Sequence, residues 1–371
     1  MPQTDTSPLL FPQPRLRAAL LAVVLASCIW LKSAVAESFL VGVSAPLTGD
    51  MAAYGRAVRN GFSMSDSDFP TSAVRMVFED NRYESKEALS AYRKLKDQQD
   101  VDLMFSWGES PLQSTAPIIE RAGPATIAMS FDPSPGCGKK GIVIAVNHPR
   151  DLVEVVLKDL RQRGAKSFGF LVSEDPYFKA VYREFEASMR PGEAIQIVGT
   201  IAPGDLDLRA LTLRASRGKF DAVGVYLLPG QVRAFYREAA RIHFSPESFG
   251  TDVFENRDEI AAAGHVMRGA IYPNLAIPSD FRKRYVESYK SDEEISFAYN
   301  AYIISRWIHS TFGAGDVRVK LSREEVLARM ETYQFDGGAK VASSICGSKH
   351  INFPIALKRV TEGGFEEQYP K

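Results

Sequence analysis

The chain has 371 residues and carries 45 basic and 45 acidic side chains, so its formal net charge is zero. It contains no block of basic residues, which argues against a nucleic-acid-binding protein. Hydrophobic residues make up 45% of the chain, which is typical of a globular protein with room for two domains.

The N-terminal segment, residues 1–36, is typical of a secretory signal peptide. Arg15 and Arg17 precede an apolar run at residues 18–31, and Ala34-Val35-Ala36 is a small-residue cleavage site. The apolar run is shorter than the roughly 20 residues that a transmembrane helix needs. We therefore expect a periplasmic protein released by cleavage after Ala36. A lipobox ending in Cys28 makes lipid anchoring the alternative, although the apolar residues that follow this cysteine favour cleavage.

Two cysteines, Cys137 and Cys346, would remain after cleavage. The periplasm keeps thiols oxidised, so an even pair in an exported protein predicts one disulfide. Each cysteine lies next to glycine in a loop-like sequence. Two unrelated buried cysteines are the alternative interpretation.

The segment from residue 39 to residue 69 organises the first half of the chain. Residues 39–45 are apolar with little alternation, which predicts a strand buried on both faces of a parallel sheet. Residues 46–50 end this strand, and apolar residues at helical spacing then predict a helix. Open α/β sheets bind ligands at such strand-to-helix loops. Tyr54-Gly55 is therefore the first candidate for a ligand contact.

The alternation of strand and helix then repeats in two series. The first series has strands near 74–80, 102–106, 125–128 and 141–146, with helices at 85–99 and 111–122. The second has strands near 167–172, 193–200, 220–226, 248–250 and 267–272, with helices at 151–163, 176–189, 208–217 and 230–242. This pattern indicates βαβ units. It predicts an α/β protein with two doubly wound parallel-sheet lobes.

The last hundred residues depart from the alternation. Three helices, predicted at 279–289, 296–312 and 322–330, have no strands between them, and 355–360 with 365–369 are typical of a β-hairpin. The simplest packing returns the helices to the first lobe and the hairpin to the second, which requires three crossovers. We assign residues 37–147 and 274–350 to lobe 1, and 148–273 and 351–371 to lobe 2.

Several motifs in these elements resemble those of type I periplasmic solute-binding proteins, and most nearly the branched-chain amino-acid-binding proteins of ABC importers. The matching segments are the signal peptide, residues 46–49 with Tyr54-Gly55, residues 78–81, the Ser110 turn, residues 250–252 and residues 298–301. No single motif is very specific for this family, but the order and spacing of the motifs taken together are specific. The resemblance covers essentially the whole mature chain. It implies a monomer whose lobes close on one small solute, an amino acid, an amide or a related molecule, and deliver it to a membrane permease.

The resemblance also implies residue roles. Ser110 matches a serine that binds the ligand carboxylate, and a second carboxylate-binding turn contains Ser130, Phe131 and Asp132. In the opposite lobe, Tyr177 matches an aromatic residue and Asp252 an acidic residue that takes the ammonium group. The family's side-chain pocket corresponds to Tyr54, Trp107 and Phe297. Purely structural roles are the alternatives: a helix N-cap for Ser110, a turn residue for Asp252, and core packing for the aromatic residues.

Three positions depart from the family pattern. Glu109 lies where the family often has a small or hydroxyl residue, Asp132 where it often has Thr or Ser, and Leu228 replaces an aromatic residue. Extra carboxylates beside a carboxylate site would repel an ordinary amino acid. Either Asp132 turns away to cap residues 133–134, or the solute is not a plain α-amino acid.

Other function classes find little support in the sequence. It has no nucleophile elbow, no His-Glu-x-x-His motif and no phosphate-binding glycine loop, and its five histidines lack metal-ligand spacing. We therefore predict neither an enzyme nor a cofactor or metal site. The alternative function is a periplasmic sensor that presents its bound solute to a receptor or regulator.

Overall fold

A computed structural model of the protein describes residues 38–314, 320–343, 347 and 349–368, besides Met1 and Gln3. The predicted signal peptide (apart from Met1 and Gln3), Cys28 and Cys346 lie outside the described residues. Within the described ranges, every helix is too short or too polar to span a membrane.

The first lobe is built on a sheet that contains seven strands among the described residues. They are β1 (Phe39–Ala45), β2 (Val74–Asp80), β3 (Leu103–Trp107), β4 (Ala125–Met129), β5 (Ile142–Ile144), β11 (Lys340–Ser343) and β12 (Lys349–Asn352). Their spatial order is β11-β12-β5-β4-β3-β1-β2. All neighbours are parallel except the edge pair β11 and β12.

The second lobe has its own sheet, also of seven strands in the described part of the chain. They are β6 (Ser167–Ser173), β7 (Ala194–Ile201), β8 (Ala222–Tyr226), β9 (Glu247–Phe249), β10 (Ile271–Leu275), β13 (Ile355–Val360) and β14 (Phe365–Gln368). Their spatial order is β14-β13-β10-β9-β8-β6-β7. The predicted C-terminal hairpin forms β13 and β14, and β13 runs antiparallel to β10. The predicted fold class of two doubly wound lobes is confirmed.

Helices cover the faces of both sheets. Those of the first lobe are α1 (Ala52–Asp68), α2 (Ser85–Arg93), α3 (Glu109–Ala122), α9 (Ser279–Tyr289), α10 (Ile295–Phe312) and α11 (Arg323–Glu331); those of the second are α4 (Pro149–Gln162), α5 (Pro176–Ala187), α6 (Arg209–Arg217), α7 (Gln231–Arg241) and α8 (Arg257–Ala263). Each lobe has a separate hydrophobic core. Phe131 is packed against both cores and so marks the line where the lobes meet.

The three crossovers between the lobes are bonded to one another. The Asn147 side-chain amide donates to the Phe353 carbonyl at 2.7 Å and accepts from the Phe353 N–H at 3.3 Å. The Ala276 N–H donates to the Pro354 carbonyl at 2.9 Å. The sheets themselves extend to Leu275 in β10 and to Asn352 in β12. Two crossovers therefore lie about two residues beyond the predicted boundaries, which fall after residues 273 and 350.

Cys137 is disulfide-bonded. The other two cysteines, Cys28 and Cys346, lie outside the described residues, so the pairing of Cys137 with Cys346 stays a prediction.

Candidate functional site

A small cavity lies between the two lobes, beyond the carboxyl ends of several strands. Its volume is about 40 Å³, which is space for only a few water molecules. Both lobes contribute to its lining, which consists of Met51, Tyr54, Tyr83, Trp107, Glu109, Met129, Phe131 and Phe297 from the first lobe and Asp175, Tyr177, Phe178, Leu228, Pro229, Asp252 and Val253 from the second. In this conformation the cavity is therefore smaller than a solute the size of an amino acid.

Aromatic rings form most of the cavity wall. In the first lobe Tyr54, Trp107 and Phe297 contact one another, with ring centroids 5.1–5.8 Å apart. Phe131 stacks across the cleft on Tyr177 of the second lobe at 4.7 Å. Four of these five rings belong to the first lobe, and closure of the lobes adds Tyr177 to the wall that they form.

Glu109 begins helix α3 and places its carboxyl group at the cavity. One oxygen accepts the Phe131 N–H at 2.9 Å, and the other lies 2.8 Å from the Tyr83 hydroxyl. The same hydroxyl lies 3.0 Å from an Asp175 oxygen. A hydroxyl has a single hydrogen to donate, so a fully bonded network requires a proton on one of the two carboxyl groups. Burial and the neighbouring Asp175 charge raise the pKa of Glu109 to about 8.

The two acidic residues that the second lobe contributes to the cavity, Asp175 and Asp252, are also buried. Asp175 caps helix α5 by accepting the Tyr177 N–H at 2.8 Å, and burial raises its pKa. Asp252 accepts a hydrogen bond from the Tyr177 hydroxyl. Burial raises the pKa of Asp252 to about 7, with the charge of Glu255 adding to the shift. The cavity thus carries three buried acidic groups that resist ionisation while it holds no positive charge.

A second buried polar cluster bridges the lobes beside the cavity. Lys358 of the second lobe pairs with Glu255, and both side chains are fully buried. Ser296 at the start of α10 donates to Glu255 at 3.0 Å, which joins the first lobe to this pair. Asn256 donates to Glu294 at 3.1 Å, and burial raises the pKa of Glu294 well above its ordinary value.

Two polar atoms of cavity residues have no hydrogen-bond partner within the described part of the chain. They are the Tyr54 hydroxyl and the Trp107 indole nitrogen, and both atoms are buried. Unpaired buried donors are costly, so such groups are candidates for bonds to a bound molecule.

The structure brings six of the nine predicted ligand contacts to the cavity and leaves three outside its lining. The six are Tyr54, Trp107, Phe131, Tyr177, Asp252 and Phe297. Ser130 and Ser110 are not lining residues, and the Ser130 hydroxyl donates to the Asp132 carbonyl at 3.0 Å. The Asp132 carboxylate accepts the Ser134 N–H at 3.0 Å, as expected for the alternative in which it turns away to cap that turn. Ligand contact itself stays a prediction for all nine.

Sequence reasoning did not assign the remaining lining residues to the site. Glu109 and Leu228 were recognised only as departures, and Met51, Tyr83, Met129, Asp175, Phe178, Pro229 and Val253 were not selected. A usable signal exists for one of them. Asp175-Pro176 follows the buried strand β6 and starts a helix, which is the same strand-to-helix position that identified Tyr54.

Two α/β lobes, three crossovers and a cavity lined from both sides define a two-lobed binding protein. The sequence profile of the family described as "Periplasmic binding protein" matches residues 39–364, and the chain belongs to this family. The resemblance found in the sequence is thereby confirmed, and the chain is a solute-binding protein.

The individual relatives share 25% or less of their sequence with this chain. The chain is 25% identical to the Leu/Ile/Val-binding protein BraC3 of Rhizobium johnstonii over 254 residues, which is 64% of this chain and 67% of that protein. Its fold is similar to that of the leucine-binding protein LivK of Thermotoga maritima, with a TM-score of 0.77, 19% identity and coverage of 89% and 97% of the two chains. It is also similar to a solute-binding protein of an ABC transporter from R. palustris solved with benzoate, with a TM-score of 0.73, 15% identity and coverage of 89% and 95%.

Proposed function

We propose that this protein captures one small polar solute between its lobes in the periplasm and delivers it to the permease of an ABC transporter. The observation that carries the proposal is the cavity, because its lining comes from both lobes. A site shared in this way is completed only when the lobes close, which couples solute binding to a change of shape.

Asp252 is the proposed acceptor for a positively charged or N–H-bearing group of the solute. It comes from the second lobe and faces a wall of first-lobe aromatic rings that includes Tyr54, Trp107 and Phe297. Charge-assisted hydrogen bonds are among the stronger polar contacts, and exclusion of water strengthens them further. The named ligands of the relatives, branched-chain amino acids and benzoate, support a solute of similar size.

Export is part of the same proposal. Membership of the periplasmic binding protein family supports a periplasmic location, and cleavage after Ala36 is the proposed route. We propose a monomer, since one chain supplies both walls of the cavity.

Native mass spectrometry of the purified mature protein tests the solute-binding function. We expect one small molecule per chain, either co-purified or taken up from a panel of amino acids, amides, amines and aromatic acids. Failure of every class to bind, in a protein shown to be folded, would contradict the proposal. Turnover of the bound molecule would instead indicate an enzyme.

A further inference from the structure

We propose that the solute is a small organic cation, an amine or alkylated ammonium that carries no carboxylate. This inference rests on the proposed function, because it concerns the same cavity and specifies the charge of what the cavity holds.

The first argument is the balance of buried charge around the cavity. Glu109, Asp175, Asp252, Glu255 and Glu294 are acidic and each at most 5% exposed. Asp132 and Glu259 are buried as well, but they are bonded to Gln113 and Arg233. In the described part of the chain, one buried lysine, Lys358, lies among these acidic residues. It forms a direct ion pair with Glu255. The cavity lining contains neither lysine nor arginine. Buried carboxylates need a partner charge or must be protonated, so a cation between the lobes would supply what the protein itself lacks.

The second argument is that the protein's own carboxyl group fills the place where a ligand carboxylate would be expected. The resemblance assigns that place to the start of α3 and the turn at residues 130–132. There the Phe131 N–H is already bonded to Glu109 at 2.9 Å. Ser110, the assigned carboxylate contact, does not line the cavity. A solute carboxylate would meet the Glu109 carboxyl group at close range, and once that group is ionised the like charges in a buried site repel strongly.

The third argument is the aromatic wall. The faces and edges of Tyr54, Trp107, Phe131, Tyr177 and Phe297 surround the cavity. A cation over an aromatic face is attracted by the ring's electrons, most strongly over Trp and when water is excluded. The carboxyl groups and the ring faces of this cavity therefore both favour a cation, and the unpaired Tyr54 hydroxyl and Trp107 N–H could still bond to a neutral acceptor, such as a hydroxyl group, on the same solute.

The geometry also predicts how binding depends on pH. An amine with a pKa near that of lysine stays protonated from about pH 6 to about pH 8.5, while the cavity acids lose protons over this range. Ionised acids attract the cation, so its affinity should rise with pH, and an anion should show the opposite trend. The charged and titratable groups facing these acids are Tyr54, Tyr83, Asp132, Tyr177, Lys179, Glu255, Glu294 and Lys358. Of the two lysines, Lys358 is paired with Glu255 and Lys179 is exposed, so neither removes the trend.

Three matched probes test the proposal by isothermal titration calorimetry on the mature protein: isopentylamine, leucine and 4-methylpentanoate. Isopentylamine is leucine without its carboxylate, and 4-methylpentanoate is leucine without its amine, so the side chain is constant. We expect the amine to bind at least about tenfold more tightly than either of the others at about pH 8.5. Its affinity should fall at about pH 6. Tetramethylammonium should also bind, since the aromatic wall needs no N–H donor.

An Asp252→Asn variant checks that the cavity acids are responsible. It should weaken isopentylamine binding by about tenfold or more, because a charged acceptor becomes neutral. Glu287→Gln is the control, since Glu287 is exposed on α9 and does not line the cavity, and it should bind the amine like the wild type.

The outcomes separate this inference from the function on which it rests. If leucine or 4-methylpentanoate binds and the amines do not, the solute-binding role stands and the cation assignment is overturned. If Asp252→Asn binds the amine as tightly as Glu287→Gln does, the assignment is likewise overturned. If nothing in the panel of amines, amino acids, amides and acids binds a folded protein, both proposals fail.

Discussion

At the scale of single residues, Glu109 sets the electrostatics of the cavity. Its pKa is raised to about 8, above the ordinary value of 4.5, because the folded protein buries the carboxyl group. The folded state therefore holds a proton that the unfolded chain has already lost between about pH 4.5 and about pH 8. In that interval the contribution of Glu109 to the stability of the ligand-free protein should decrease as pH rises.

Glu109→Gln should remove part of that decrease. The amide imitates the protonated acid, because its oxygen can accept the Phe131 N–H and its NH₂ group can donate to Tyr83. We expect the Tm of the variant to fall less than that of the wild type between about pH 5 and about pH 8. Thermal unfolding across this range is the measurement. Parallel Tm profiles for the two proteins would contradict a raised Glu109 pKa.

Sequence alone does not determine whether Glu109 or Ser110 lines the cavity. The loop after strand β3 was predicted as a site, and the loop does reach the cavity. Which of two neighbouring side chains faces inward depends on where α3 begins, and helix ends are located only to within one or two residues. The structure starts the helix at Glu109, which puts the acidic side chain at the cavity and leaves Ser110 outside its lining.

At the scale of elements, helices α1 and α10 approach each other closely at Gly61. A Cβ atom added to Gly61 would lie 2.1 Å from the Ala298 carbonyl oxygen. Alanine is a better helix former than glycine by about 1 kcal/mol, but overpacking of a core costs about 1–3 kcal/mol. We expect the clash to dominate, so Gly61→Ala should lower the Tm.

The control for this prediction is Ser63→Ala, which changes an exposed position on the same helix. It should leave the Tm unchanged or raise it slightly, because alanine favours the helix. A Gly61→Ala protein as stable as Ser63→Ala would mean that α1 and α10 can separate at no cost.

The elements that sequence patterns located well are those with a strong local signal. The strands of both β/α series and the C-terminal hairpin were predicted near their observed positions. The sequence pattern predicts neither β11 nor β12, and it predicts a crossover at residues 347–353, where the structure has β12. The β12 strand joins the sheet through β5, where Lys349 is paired with Val143. Pairing across some two hundred residues leaves no local pattern in a four-residue strand.

At the scale of the whole molecule, Lys358 contributes to holding the lobes together. It neutralises Glu255, and Ser296 of the other lobe bonds to both. Lys358→Met would leave a buried carboxylate without its partner, which typically costs about 3–5 kcal/mol. Chemical denaturation should show this loss as a lower midpoint.

Lys349→Met is the matched control, because Lys349 pairs with Glu331 where both side chains are more than 40% exposed. Surface pairs contribute about 0–1 kcal/mol, so this variant should unfold much like the wild type. If the two variants lose the same stability, the buried pair does not stabilise the closed lobes.

The central claim is that the two lobes close around a solute in the cavity they share. Small-angle X-ray scattering of the mature protein, with and without saturating solute, tests it most directly. The solute is the molecule identified by native mass spectrometry, and binding is verified by calorimetry in the same buffer. The account predicts one solute per chain and a smaller radius of gyration in the bound state, because hinge closure brings the lobes together. A solute that binds with unchanged radius of gyration and unchanged affinity in the Asp252→Asn variant would contradict it.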